Sequence, residues 1–198
     1  MDSNSAVSFN YLIISDLHLQ EAEKNPAGRL FYFDQEFTEF LQYYRLFHEG
    51  QRRWKLIIAG DLIEFYHKIN EQPSLDDKLL KGIELTDTDL KFYPGTEWQK
   101  SAWKLDRILS SHQLLLIALA RFVVEGNEVY ILRGNHDLEL FWPQVQDRFR
   151  QLVSTHYPAG YTYQDTKAAV AARIHFLPWF YFERDLLYVE HGHQYDPF

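Results

Sequence analysis

The feature that most constrains this chain is a repeated junction, in which a short apolar run stops abruptly in a polar cluster. Residues 9–15 (FNYLIIS) run into Ser15-Asp16-Leu17-His18, and residues 54–59 (WKLIIA) run into Gly60-Asp61. Residues 129–132 (VYIL) lead through Arg133 to Gly134-Asn135-His136-Asp137, and residues 186–190 (LLYVE) end at His191-Gly192-His193. Apolar runs of this length read as buried strands. In open α/β sheets ligands collect at the carboxyl ends of strands, so the four clusters are expected to converge in space.

Between the strands the pattern changes period. Phe33, Phe37, Phe40, Leu41, Tyr44 and Phe47 fall at helical spacing and predict an amphipathic helix over 32–48. Strand, helix and strand in succession predict a βαβ unit with parallel strands. Residues 101–124 predict one long helix ended by Gly126-Asn127, and 138–153 a second helix, whose start is complicated by Pro143. Residues 173–176 and 186–190 read as further strands. The alternation predicts an α/β sandwich, organised over residues 1–198 as one domain. Residues 64–99 are polar and turn-rich, and they read as an insertion from that core, a candidate lid.

Composition narrows the chemistry. With no cysteine, disulfides and zinc–thiolate sites are excluded, which fits a reducing, cytoplasmic compartment. Any metal must be held by His, Asp, Glu or Asn. The formal charge of −8 argues against broad binding of nucleic acid, and it repels phosphate unless bound cations supply positive charge. The longest apolar run, residues 114–120, is too short to span a bilayer, and residues 1–19 do not have the pattern of a secretory signal. Aromatics make up 17% of the chain, more than a core needs, so some are expected on a groove or at a peripheral membrane contact.

The clusters carry ligand chemistry. Asp16 and His18 sit two residues apart, which in extended chain turns both side chains to one side. Asp61, from the next strand, is placed to bridge two ions through its two oxygens. Asn135 offers a carbonyl oxygen and His191 an imidazole nitrogen. Mixed His and carboxylate ligation suits two divalent ions, Mn²⁺ first, with Fe, Zn²⁺ or Mg²⁺ as alternatives. Two such ions about 3.5–4 Å apart form a clamp for in-line phosphoryl displacement. His136 then sits beside the metals, placed to protonate a leaving oxygen, with Asp137 expected to orient its ring. Gly134 is expected to permit a sharp turn.

Each cluster alone has an ordinary structural reading. Asp after a strand often caps a helix, and Gly-Asn is a common turn pair. His67, His112, His156 and His175 read as satisfied polar groups, Asp76, Asp77, Asp87 and Asp89 as solvated loop charges, and His193 as neighbouring support or surface. The argument rests on all four clusters occurring in order at strand ends.

Together the motifs Asp16-x-His18, Gly60-Asp61, Gly134-Asn135-His136-Asp137 and His191-Gly192 resemble those of the calcineurin-like metallophosphoesterases. The resemblance implies an α/β/β/α sandwich, two metal ions and hydrolysis of a phosphomonoester, phosphodiester or pyrophosphate. It assigns Asp16 and His18 to the first metal, Asp61 to both, Asn135 and His191 to the second, and His136 to catalysis, with a hydroxide bridging the pair as nucleophile. The family's last motif, Gly-His-x-His, is not found, since Gly192-His193-Gln194-Tyr195 lacks its second histidine. The expectation is therefore a domain whose last strands are missing, as in a truncated chain. Asp16-Leu17-His18-Leu19 and Gly60–Phe65 look most like the branch containing UDP-2,3-diacylglucosamine pyrophosphatase, which implies a small-molecule, lipid-linked substrate under a lid bearing Phe65, Tyr66, Phe92, Tyr93 and Trp98. That branch usually has Arg where this chain has His136. The alternative is a protein-binding scaffold of the same fold with a degenerate metal site.

Overall fold

Four strands share one direction and lie side by side in chain order. They are β1 (Asn10–Ile14), β2 (Trp54–Ala59), β3 (Glu128–Leu132) and β4 (Ile174–Leu177), each parallel to the next. The computed structural model describes residues 9–21, 33–66, 69, 73–74, 76–91 and 94–195. Parallel strands cannot be joined by tight turns, so helices carry the chain back across the sheet. These are α1 (Asp34–Leu46), α2 (Asp87–Lys91), α3 (Trp98–Ser110), α4 (Gln113–Val124), α5 (Pro143–Thr155) and α6 (Tyr163–Arg173).

Strand side chains alternate between two cores. Leu12, Leu56, Ile58, Val129, Ile131 and Ile174 face the helices and bury Phe37, Leu41, Trp103, Leu119, Phe149 and Val170 against them. Ile57, Ala59 and Leu132 face the other way, onto Tyr181 of an antiparallel hairpin. The hairpin is made of β5 (Phe180–Glu183) and β6 (Leu187–Glu190). The chain is thus mixed α/β: a helical layer, a parallel sheet and a second, two-stranded sheet.

Several local signals explain the element ends. Pro143 opens α5, where its missing N–H costs nothing. Thr162 and Asp165 form a capping box at the start of α6. Past α4, Gly126 takes φ +96°, and the Asn127 amide donates to Phe122 O (2.9 Å) while its oxygen accepts from Trp54 N (3.0 Å). One side chain therefore ends α4 and starts β2.

Three expectations change. The helix foreseen over 101–124 is two helices, α3 and α4, meeting at 96°. The break falls at Ser111–His112, where the buried His112 ring pairs with Asp34 Oδ1 (2.6 Å) and Gln20 O (2.9 Å). Residues 138–141 form a 3-10 turn, and the true helix starts at Pro143. Two of the carboxylates read as solvated are instead structural. Asp89 is buried against Lys100 (2.9 Å), and Asp77 accepts from Trp103 Nε1 and Arg107 Nη2. No single helix among the described residues is long and apolar enough to cross a membrane.

Candidate metal centre

The loops leaving β1 and β2 run side by side. Asp16 N donates to Gly60 O, His18 N to Asp61 O and Leu19 N to Leu62 O. This pairing bends both loops hard. Asp16, His18 and Asp61 adopt φ values of 57°, 44° and 53°, the left-handed region that costs a non-glycine residue energy. The extended geometry expected for Asp16-x-His18 is therefore wrong, although both side chains still reach one point. His18 Nε2 lies 3.8 Å from Asp16 Oδ1 and 3.7 Å from Asp61 Oδ2.

Asp61 is almost fully buried, and its two oxygens have different tasks. Oδ1 accepts from His136 N at 2.9 Å. Oδ2 faces both imidazoles, 3.3 Å from His191 Nε2 and 3.7 Å from His18 Nε2.

His191 Nδ1 donates to Ala59 O at 2.8 Å, so in a neutral ring Nε2 carries the lone pair. That nitrogen lies 3.0 Å from Asn135 Oδ1 and 3.3 Å from Asp61 Oδ2. With a neutral His191 these three acceptors face one another, a donor set that a cation satisfies. The residues present therefore fit a divalent ion beside Asp61. Asp16, His18 and Asp61 form one group that could hold an ion, and His18, Glu64 and His136 another. On the other side of Asp61, Asn135 Oδ1 and Asp61 Oδ2 both lie within 3.3 Å of His191 Nε2.

Glycines make this approach possible. A Cβ on Gly134 would overlap Asp61 Oδ1 and come within 2.6 Å of Asp61 N. Gly134 is thus needed for close packing rather than for a turn. A Cβ on Gly60, whose φ is +93°, would fall 2.5–2.8 Å from the His191 ring.

The carboxylate beside His136 is Glu64, not Asp137. Glu64 Oε2 sits 3.1 Å from His18 Nδ1 and 2.8 Å from His136 Nδ1. The first contact is a hydrogen bond. The second is close, but it lies off the N–H direction of the buried Nδ1. Asp137 instead accepts from Leu62 N (2.8 Å) and Gly134 N (2.6 Å), stitching the two loops together. Burial pushes the Asp137 carboxyl up to about 6, helped by the Asp61 charge and opposed by the backbone donors. Glu64 was read as the first residue of an insertion. The available signal was an acidic residue three places after Gly60-Asp61, still within the strand-end loop.

Other histidines are placed as satisfied polar groups. His156 Nδ1 bonds Leu152 O, and the His175 ring stacks on Tyr130. His193 lies 5.3 Å from the His191 ring, outside both ligand groups. Of the aromatics assigned to a lid, Phe65 is fully buried in the core, and Tyr66 sets its ring edge-on to His136 at 5.7 Å. Phe92, Tyr93 and His67 lie outside the described residues.

No curated protein and no solved structure matches the chain. The family model of the calcineurin-like phosphoesterases matches residues 9–197, nearly the whole chain. The four strand-end motifs, their convergence on Asp61 and this match place the chain in the calcineurin-like phosphoesterase family, whose members are metal-dependent hydrolases of phosphoesters.

Proposed function

We propose that this chain hydrolyses a phosphoester at a dinuclear centre, with Asp16 and His18 on one ion, Asn135 and His191 on the other, and Asp61 shared. The observation that carries the reading is Asp61 Oδ2, placed between two imidazole nitrogens at 3.3 and 3.7 Å. Divalent ions held there, Mn²⁺ foremost, supply positive charge to the phosphoryl group and lower the pKa of the attacking water.

The protein's own residues do the rest. Glu64 holds His18 through Nδ1 and so presents Nε2 to Asp16 and Asp61. The same carboxylate lies 2.8 Å from His136 Nδ1, beside the ring that delivers a proton to the leaving oxygen.

The substrate we favour carries an apolar group. A cleft of about 360 Å³ opens from Asp16, His18 and Glu64 onto Phe33, Phe37, Leu19 and Leu115. Polar metal ligands at one end and apolar side chains at the other suit a phosphodiester or pyrophosphate with a greasy substituent. The test is turnover of p-nitrophenyl phosphate, bis-p-nitrophenyl phosphate and matched acylated and plain nucleotides, with Mn²⁺ and then with excess chelator. Chelator-sensitive turnover is expected, with preference for the acylated compounds. No turnover with Mn²⁺, Zn²⁺, Mg²⁺ or Fe²⁺ would refute the hydrolase reading and favour a scaffold, and equal rates on acylated and plain nucleotides would remove the apolar substituent.

A further inference from the structure

Behind the site lies an ion pair that the proposed chemistry does not use. Lys104 of α3 and Glu139 of the 3-10 turn are both almost fully buried, with Nζ 2.9 Å from Oε1. Glu139 Oε2 is also buried and has no hydrogen-bond partner among the described residues. A buried pair with one oxygen unsatisfied is a poor stabilising device, because desolvating both charges offsets most of their attraction. Apolar residues of similar size would serve a core better.

Its position suggests what it does. Lys104 Nζ also lies 5.5 Å from the centre of the buried Phe65 ring. Phe65 belongs to the loop after β2, and its N–H donates to His136 O at 3.3 Å. Glu139 belongs to the loop after β3, three residues beyond His136. One ammonium therefore touches both loops that build the site. On the far side the same loops are joined by Asp137 to Leu62 N and by His136 N to Asp61 Oδ1. His136 sits inside this closed circuit, held at its backbone N–H and its carbonyl.

We propose that Lys104 and Glu139 are positioning residues, which set the register of the two loops and so the placement of the His136 ring against Glu64 and Asp61. The inference rests on the phosphoesterase reading for its consequence in catalysis, but not for its consequence in structure. Misplacing a reacting group by about 1 Å costs on the order of a hundredfold in rate.

The test compares wild type with the double variant Lys104→Met/Glu139→Leu, which leaves no buried charge unpaired. His136 ring resonances are read by NMR in the metal-free, histidine-labelled chain, assigned with His136→Gln. Phosphodiester turnover is read in parallel. The double variant is expected to keep cooperative melting and to shift or broaden the His136 resonances. Its kcat should fall about tenfold to a hundredfold with KM little changed. Wild-type His136 resonances and kcat in a folded double variant would overturn the proposal. If wild type has no turnover, the phosphoesterase reading fails by itself, and the resonances alone decide the positioning role. If the double variant does not fold, Phe65→Leu, which keeps the ion pair but removes the ring packed against the Lys104 ammonium, is read the same way. Unchanged His136 resonances there would overturn the proposal.

Discussion

Glu64 shows how much one carboxylate can decide. Its Oε2 is within 3.1 Å of two imidazole nitrogens, on His18 and His136, and its Oε1 accepts from Tyr66 N. Glu64→Gln keeps the shape and loses the charge, so kcat is expected to fall about tenfold to a hundredfold with a smaller change in KM. Steady-state kinetics on a phosphodiester check this; wild-type kcat would mean that Glu64 is only structural. Gly134→Ala tests the neighbouring contact. The added methyl must displace Asp61, so metal binding and turnover should drop together, with about 1–3 kcal/mol lost in stability. Calorimetric Mn²⁺ titration and a urea melt read both. At this scale the ligand candidates were legible, because each polar cluster follows directly on an apolar run. The task of Asp137 was not legible. Adjacency in sequence put it beside His136, whereas the loop turns it inward to backbone donors.

Among the elements, the sites of break and cap were harder to read than the strands. β1, β2 and β3 show as apolar runs, since a parallel sheet covered on both faces has little room for polar side chains. The α3–α4 break was hidden by nearly continuous apolar residues, and its cause, His112 bonded to Asp34, spans 78 positions. The hairpin strand β5 and helix α6 carry weak periodic signals, and both were missed. The segment before α3 holds a charge that tests its packing. Burial alone would raise the Asp89 carboxyl, but bonds from Lys100, Thr86 and Gly95 outweigh it and bring it from 3.8 to about 2. A depressed carboxylate adds stability above its unfolded pKa, and that stability is lost as pH falls from about 4 to about 2. The shift is worth about 2 kcal/mol at neutral pH. Asp89→Asn should therefore lower the urea midpoint at pH 7 and flatten its fall below pH 4. An unchanged midpoint at pH 7 would contradict this account of Asp89.

For the molecule as a whole, the parallel sheet brings the carboxyl ends of β1, β2 and β3 to one edge, and β6 of the hairpin delivers His191 to the same place. The layer order was legible in outline from alternating strands and helices. The hairpin's place on the opposite face was not, because it depends on Ile57, Ala59 and Leu132 packing on Tyr181. Net charge acts at this scale too. A chain of charge −8 that gathers Asp16, Asp61 and Glu64 within one site needs cations to hold an anionic substrate. The central claim is therefore the dinuclear centre, and metal stoichiometry tests it most directly. Wild type and Asp61→Ala are loaded with Mn²⁺, desalted and counted by elemental analysis. The account predicts two ions per wild-type chain and loss of both in the variant, because Asp61 lies between His18 and His191 and would be shared by both ions. One ion or none in wild type, or two retained in Asp61→Ala, would contradict it.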